Sequence, residues 1–424
     1  MTACATEPVT VDRDDSAPPA GCVITVDGGY AARLAVRGDS WFPERWTLAG
    51  PEPYAVPLPA HQPEEPGSGT EVQPMGDGRV LIRRTADGRC FFSLLYPTGP
   101  GTGEALLGAV ECPADTRLRL LPPAPGGAHA YALAVGPESS TVWLVAGGSF
   151  GPEQVARIPG RCSGGVWLDR AGRLLALDRT DDTGRTKAVV VDLGRAGEVA
   201  PLLQIADDSD DRVLLADPDS ALLLIGSDAP APGEPARLGW GVLGSTLPVR
   251  FPECLRGAGG AVTPFAIQPG QVLTPETCGV ALRVDGPAGA WVAVWRPSDR
   301  RLRHLPAPRG WLAGAGLWTR EGTLLLPYTT EATPCGVGRW ETPWGQRAEK
   351  EQEKEQEQEQ GGELEGREEP GGPQGPQGPK GPQGPQGPDG GGGEAGAEPA
   401  SAAAAVTRPV PLAQAPLARS AAPS

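Results

Sequence analysis

The sequence contains very little lysine: four residues against 33 arginines, and Lys187 is the only lysine before residue 350. Histidine is also scarce, with three residues, at positions 61, 129 and 304. Aromatic residues make up only 5% of the chain. Chemistry that depends on a lysine, such as a Schiff base or a phosphate-binding Gly-Lys loop, therefore has few candidate residues.

The eight cysteines form no Cys-x-x-Cys pair. Because zinc sites are usually built from closely spaced cysteine and histidine ligands, this spacing predicts neither a zinc site nor another cofactor. The N-terminus carries acidic residues and no apolar signal-peptide core, and no run of 18 apolar residues occurs. We therefore expect a cytoplasmic chain with reduced thiols and no membrane span.

Basic residues are outnumbered along the whole chain. Residues 1–346 hold 39 acidic against 30 basic residues, residues 347–424 hold 13 against 7, and the net charge is −15. A partner bound through its phosphate backbone requires clustered lysine and arginine. The charge balance therefore argues against nucleic acid.

One short phrase recurs: a tight turn followed by an apolar run of strand length. Clear copies are GVWLDRAGRLLALDR (165–179) and GLWTREGTLLLPY (316–328). The turns of the seven copies are anchored by Gly29, Gly78, Gly127, Gly172, Ser220, Gly279 and Gly322. Successive anchors are 49, 49, 45, 48, 59 and 43 residues apart. A period of about 40–50 residues, with four strand-length runs in each unit, is typical of propeller blades. We therefore predict an all-β fold, a seven-bladed β-propeller over residues 22–345.

Within each blade, the phrase is expected to join the two inner strands. Its tryptophan would fill the space between neighbouring blades, and proline-bearing strands would lie at the outer edge, where no ladder donor is needed. The last unit, from about residue 313, offers three strands at most, so CVITVDG (22–28) is expected to complete it. Two β-sandwich domains, or a blade number of about six or eight, remain alternatives.

The runs GGVWLDRAGRLLALDR and KAVVVDL, with the turn DPDSALLLI, resemble blades of TolB-like propellers and of the N-terminal propeller of the prolyl oligopeptidase family. The resemblance covers residues 28–345 and implies a propeller fold. In oligopeptidases the propeller filters substrate for a separate hydrolase domain, whereas here the sequence passes into low complexity. The resemblance to TolB implies an envelope-associated sensor as an alternative function.

The composition changes at residue 346. A run rich in Glu, Gln and Lys leads into six Gly-Pro-X triplets (372–389) and then a Pro- and Ala-rich end. Because such segments cannot bury enough apolar area to order themselves, residues 1–21 and 346–424 are predicted to be disordered. Whether the triplets trimerise stays open. A docking peptide for a partner is predicted at Arg408, Pro409, Pro411, Leu412, Pro416, Leu417 and Arg419.

The loop from Gly147 to Gly151 matches Gly-x-Ser-x-Gly and follows an apolar strand. A nucleophile elbow must open a helix, but here Pro152 and a short strand-like run follow. A glycine-rich loop between the two outer strands is therefore favoured. Ser149 is kept as the candidate nucleophile of an enzymatic alternative.

Two further motifs are acidic. The first consists of Asp207, Asp208, Asp210 and Asp211. Their carboxylates could hold Ca²⁺, but the EF-hand spacing is absent, so a solvated loop is favoured. The second, TDDTGRT (180–186), resembles an Asp-box, in which the Asp and hydroxyl groups hydrogen-bond their own hairpin.

These observations favour a non-catalytic propeller that acts as a binding or scaffold module for a protein or peptide partner, and we expect it to be a monomer. The alternative is a hydrolase or lyase that uses the propeller face. Enzymatic propellers usually place several His, Asp or Glu side chains near the ends of the inner strands, where this sequence carries mostly Gly, Pro and Arg.

Overall fold

The computed structural model describes residues 21–341, apart from 60–62, 65–68, 232–233, 257–259, 271–273 and 288. These residues form seven antiparallel sheets, each a meander of three or four consecutive strands. The chain is a seven-bladed β-propeller, which confirms the predicted fold class and blade number and excludes the two-sandwich alternative. The tail 346–424 and the N-terminal segment before Gly21 lie outside the described residues, so their disorder stays a prediction.

The first four blades have four strands each. Blade 1 consists of β1 (Val23–Ile24), β2 (Tyr30–Arg37), β3 (Ser40–Thr47) and β4 (Tyr54–Pro57). Blade 2 consists of β5 (Thr70–Pro74), β6 (Val80–Ala86), β7 (Arg89–Pro97) and β8 (Thr102–Glu111). Blade 3 consists of β9 (Arg117–Leu120), β10 (Ala130–Val135), β11 (Ser139–Ala146) and β12 (Glu153–Pro159). Blade 4 consists of β13 (Arg161–Trp167), β14 (Leu174–Thr180), β15 (Thr186–Asp192) and β16 (Glu198–Leu203).

The last three blades are less regular. Blade 5 consists of β17 (Asp211–Ala216), β18 (Leu222–Ser227) and β19 (Arg237–Val242). Blade 6 consists of β20 (Ala261–Ile267), β21 (Val280–Gly286), β22 (Gly289–Trp295) and β23 (Arg303–Leu305). Blade 7 consists of β24 (Leu317–Trp318), β25 (Thr323–Tyr328) and β26 (Gly336–Glu341). In the part of the chain that the structure describes, three single-turn 3-10 helices lie in the connections, at Leu193–Arg195, Glu253–Leu255 and Pro275–Thr277.

All seven predicted turn anchors lie between the two innermost strands of a blade. In blade 4, the N–H of Gly172 donates to the C=O of Asp169, and the Asp169 carboxylate accepts the N–H of Arg173 at 2.8 Å. Gly172 has a φ of 66°, in the left-handed region that glycine adopts without steric cost. The turn chemistry therefore explains why the phrase recurs once per blade.

The core is a series of apolar layers between neighbouring blades. Trp167 of blade 4 is 7% exposed and packs in one cluster with Leu133 and Val142 of blade 3. Its Nε1 donates to the C=O of Pro122 in blade 3 at 3.0 Å. The predicted role of this tryptophan between blades is confirmed.

The expected closure of blade 7 by residues 22–28 is wrong. Val23 and Ile24 pair with Ala32 and Ala31 instead, as the inner strand of blade 1. The N–H of Thr25 donates to the C=O of Tyr30 at 2.9 Å, so a tight hairpin holds the segment beside β2. In the described part of the chain, blade 7 therefore has three strands and β26 is its outer edge.

Candidate functional site

The predicted nucleophile Ser149 lies in the rim loop between β11 and β12, as expected for a glycine-rich hairpin. Its N–H donates to the Glu153 carboxylate at 3.2 Å. His129 approaches Gly147 in the same region, but no hydrogen bond joins it to Ser149 within the described ranges. A strand, not a helix, follows the loop, so the geometry of a nucleophile elbow is missing.

The acidic cluster is divided between the interior and the surface. Asp211 is fully buried and accepts hydrogen bonds from the hydroxyls of Ser209 and Ser227, the latter at 2.6 Å. It also accepts the N–H of Ile205 at 2.9 Å. The ammonium of Lys187 lies 2.8 Å from its Oδ2. The positive charge at this carboxylate is therefore supplied by the chain itself.

The other three carboxylates do not converge on Asp211. Asp210 accepts the N–H of Thr186 at 2.7 Å, and its own N–H donates to Asp228 at 2.7 Å. Asp207 and Asp208 are exposed. Over the described ranges, no group of three or more His, Cys, Asp or Glu side chains is placed to hold a metal ion.

The Asp-box motif forms the turn between β14 and β15. Asp181 Oδ1 accepts the N–H and hydroxyl of Thr183 at 2.9 and 2.6 Å, and the N–H of Arg185 at 3.0 Å. These bonds lower the pKa of Asp181, chiefly through the Thr183 hydroxyl. The motif is a structural turn, as predicted. The predicted docking peptide, Arg408 to Arg419, lies outside the described residues.

The candidate site is an open cavity between blade 7 and blade 1, with a volume of about 480 Å³, which we call the seam cleft. Blade 1 contributes Ile24, Leu48, Gly50, Pro51 and Pro53. Blade 7 contributes Leu317, Leu325, Pro327, Val337 and Arg339. The lining side chains are apolar except for one guanidinium, but the exposed surface of the cleft is polar and apolar in similar proportion. Such a site can take both apolar side chains and hydrogen-bonding groups.

Local sequence explains both walls. Pro51 and Pro53 lie in the loop between β3 and β4, where proline needs no ladder donor. On the opposite wall, Leu325 is directly opposite Arg339 in the β25–β26 ladder, and Pro327 is opposite Val337. Directly opposite residues share one face of a sheet, so these four side chains form a continuous surface.

The backbone of β26 is also available at this site. The C=O of Pro327 accepts the N–H of Leu312 at 3.0 Å, so its backbone groups point away from β26. Residues opposite each other in an antiparallel pair alternate between bonded and non-bonded pairs. The pairs that contain Val337 and Arg339 are therefore non-bonded, and both residues direct their N–H and C=O groups to the open edge.

Beyond the cleft, the same seam contains a buried polar cluster. Arg33 Nε lies 2.7 Å from the Glu44 carboxylate, which also accepts Trp46 Nε1 at 2.7 Å. The Arg33 guanidinium lies 5.2 Å from the centre of the Trp46 ring. Burial raises the pKa of Cys22 to about 12 and that of Cys335 to about 11. Both thiols stay protonated at neutral pH and are poor nucleophiles.

The sequence alone does not reveal the seam cleft. Its two walls come from residues 24–53 and 317–339, which lie at opposite ends of the propeller sequence. The one usable signal was the short last unit, which has three strand-length runs instead of four. That signal indicates an incomplete blade, but it predicts residues 22–28 as the missing strand, whereas the structure leaves the edge of β26 open.

No protein-family model matches the chain, and no curated protein matches it in sequence. Solved structures match its fold. TolB from Acinetobacter baumannii is 13% identical over 75% of this chain and 81% of that one, with a TM-score of 0.38. Oligogalacturonate lyase from Vibrio parahaemolyticus is 10% identical over 76% of this chain and 88% of that one, with a TM-score of 0.49. Prolyl oligopeptidase B from Galerina marginata is 12% identical over 76% of this chain and 47% of that one, with a TM-score of 0.43.

At these identities the likeness concerns the fold alone. The predicted resemblance to TolB-like and prolyl oligopeptidase propellers is confirmed at that level. The described part of the chain also contains no helix that is long and apolar enough to cross a membrane.

Proposed function

We propose that this chain is a non-catalytic propeller that binds a protein or peptide partner in the seam cleft. The observation that carries this proposal is the cleft itself: about 480 Å³ of open space, lined mainly by apolar side chains, held between two blades and bordered by a free strand edge. Such a surface can bury apolar side chains and fix their backbone at the same time.

The chemistry of the cleft favours binding over turnover. Arg339 is the one ionisable side chain that lines the cleft in the described part of the chain, and a guanidinium does not exchange protons near neutral pH. A hydrolase or lyase needs at least one general acid or base in reach of its substrate. Ser149 lies in the outer loop of blade 3, away from both walls.

The C-terminal segment from Arg408 to Arg419 is proposed as a second docking element. Its proline spacing favours an extended conformation that loses little entropy on binding. With a rigid cleft and a separate peptide, the protein would act as a scaffold that joins two partners. We propose that it does so as a cytoplasmic monomer, and cell fractionation would distinguish this from an envelope-associated sensor.

A random peptide library displayed on phage tests the binding function with the full chain as bait. Pro51 is exposed and lines the cleft, so Pro51→Trp should fill the cleft without disturbing the core. Pro137 is an exposed proline in the turn between β10 and β11, and Pro137→Trp is the matched control. We expect the same family of peptides to be enriched on the parent and on Pro137→Trp but lost on Pro51→Trp.

Equal enrichment on Pro51→Trp would show that the seam cleft is not the binding site. No enrichment on any bait, together with hydrolysis of an ester or peptide panel that disappears in Ser149→Ala, would replace the binding function with an enzymatic one.

A further inference from the structure

We propose that the partner of the seam cleft is an extended segment of a separate protein that pairs with β26 as a fourth strand of blade 7, and that it carries a carboxylate residue followed two positions later by a branched apolar residue. This inference rests on the proposed function and names the chemistry of its partner.

The free edge of blade 7 offers backbone hydrogen-bonding groups to an added strand. Val337 and Arg339 direct their N–H and C=O groups outward, because Pro327, opposite Val337, bonds to Leu312 on the other side of β25 and the ladder alternates every second residue. No described strand pairs with this edge. Each outward donor and acceptor would gain a partner if an extended chain were added, which is the main source of affinity in strand addition.

The side chains of β26 fix the sequence of the added strand. All sheets of the propeller are antiparallel, so an added strand continues the pattern when it runs against β26. The residue opposite Arg339 then comes first, and the residue opposite Val337 comes two positions later. Because directly opposite side chains lie on one face, both would enter the cleft.

Charge and polarity differ at the two positions. Arg339 is exposed and belongs to none of the ion pairs among the described residues, so an Asp or Glu of the partner could reach its guanidinium and supply a counter-charge. At the second position, Val337 continues the apolar surface of Leu325 and Pro327, so Val, Ile or Leu would be buried there. The expected motif is acidic–any–branched apolar.

The experiment measures fluorescence anisotropy of two labelled peptides, STVTETVTS and STVTKTVTS, with the full chain. We expect the glutamate peptide to bind at least about tenfold more tightly than the lysine peptide, since like charges would face each other in the second case. Arg339→Glu should invert this preference. A preference that does not respond to Arg339→Glu would overturn the assignment of the carboxylate position.

The backbone contribution is tested by comparing Val337→Pro with Val337→Ala. Both variants lose the isopropyl group, but only proline loses the outward N–H, and that N–H makes no bond to β25. We expect equal melting temperatures and an affinity about tenfold lower for the proline variant. Equal affinities would contradict strand addition. Should the proline variant melt early, the charge inversion at Arg339 decides alone.

Other occupants give different results. If the peptide binds only after removal of residues 1–20 or 342–424, the chain itself covers the edge and the proposal is wrong. A dimer in the parent that Val337→Pro converts to a monomer would assign the edge to a second copy, which also overturns it. If library peptides are lost on Pro51→Trp but unaffected by Arg339→Glu and Val337→Pro, the proposed function stands and this inference alone fails.

Discussion

Asp178, on the second strand of blade 4, accepts a hydrogen bond from the backbone N–H of Val213, on the inner strand of blade 5, at 3.1 Å. The carboxylate is 4% exposed. Burial raises its pKa to about 7, although the bond from Val213 and the charges of Arg212 and Arg119 act in the opposite direction. One blade is thus joined to the next by a group that titrates near neutral pH.

This relationship predicts a pH dependence of stability. An unfolded aspartate titrates near pH 4, so between about pH 4 and pH 7 the folded chain holds a proton that the unfolded chain has released. The stabilisation from this group is complete below pH 4 and is lost as the pH rises through 7. Between pH 5 and pH 8 the unfolding free energy of the parent should fall by roughly 2–3 kcal/mol more than that of Asp178→Asn. Parallel urea-unfolding results for the two proteins would show that Asp178 is already ionised.

The buried ion pair between Lys187 and Asp211 should contribute substantially to stability. Lys187→Met would leave a fully buried carboxylate with only neutral donors, and we expect a loss of about 2–4 kcal/mol in urea unfolding. The exposed pair of Arg79 and Asp77 provides the control, because Arg79→Met should cost less than about 1 kcal/mol. Similar small losses would mean that the Lys187 ammonium is well hydrated.

Gly28 should be needed for the packing of blade 1 on blade 7. It has a φ of 73°, and a Cβ at this position would overlap Leu317 Cδ2 in the wall of the seam cleft. Gly38 has a φ of 61° with open space around it, so both alanine variants share the backbone strain but only Gly28→Ala meets a neighbour. We expect Gly28→Ala to be about 1–2 kcal/mol less stable than Gly38→Ala in urea unfolding. Equal losses would mean that Leu317 moves aside freely.

Limited proteolysis should separate the propeller from the tail. The charged and Gly-Pro-rich composition of residues 346–424 predicts that trypsin cleaves first near Arg347 and Lys350. Because Arg13 is the only tryptic site before the first blade, the resistant fragment should begin at residue 14. Mass spectrometry of the fragments checks the boundary. Early cleavage within the propeller, with the tail intact, would contradict this division of the chain.

Local turn chemistry explains how much of the fold could be predicted from the sequence. The turns at Gly172 and Asp181 depend on residues within a few positions of each other, so their geometry could be read from spacing alone. The ion pair of Lys187 with Asp211 joins β15 to the next blade and leaves no periodic signal. Ring closure was predicted wrongly, because a short apolar run such as residues 22–24 suits an inner strand and an outer strand equally well.

The seam cleft is formed by residues that lie still further apart in the sequence. Pro51 and Arg339 become neighbours only when the seventh blade meets the first, and no local pattern encodes that meeting. The free edge of β26 depends in turn on the positions of Pro327 and Leu312, which set the alternation of the backbone bonds.

Amide hydrogen exchange at residue resolution, in the full chain with and without a peptide selected from the library, tests the central claim most directly. In the free protein the N–H groups of Val337 and Arg339 point to the open edge and should exchange quickly, whereas those of Gly338 and Trp340, which face β25, should be protected. We predict that the peptide protects Val337 and Arg339 and slows exchange in the loop at Leu48–Gly50. Protection confined to another surface, such as the loop around Ser149, with no change at Val337 and Arg339, would contradict a binding site in the seam cleft.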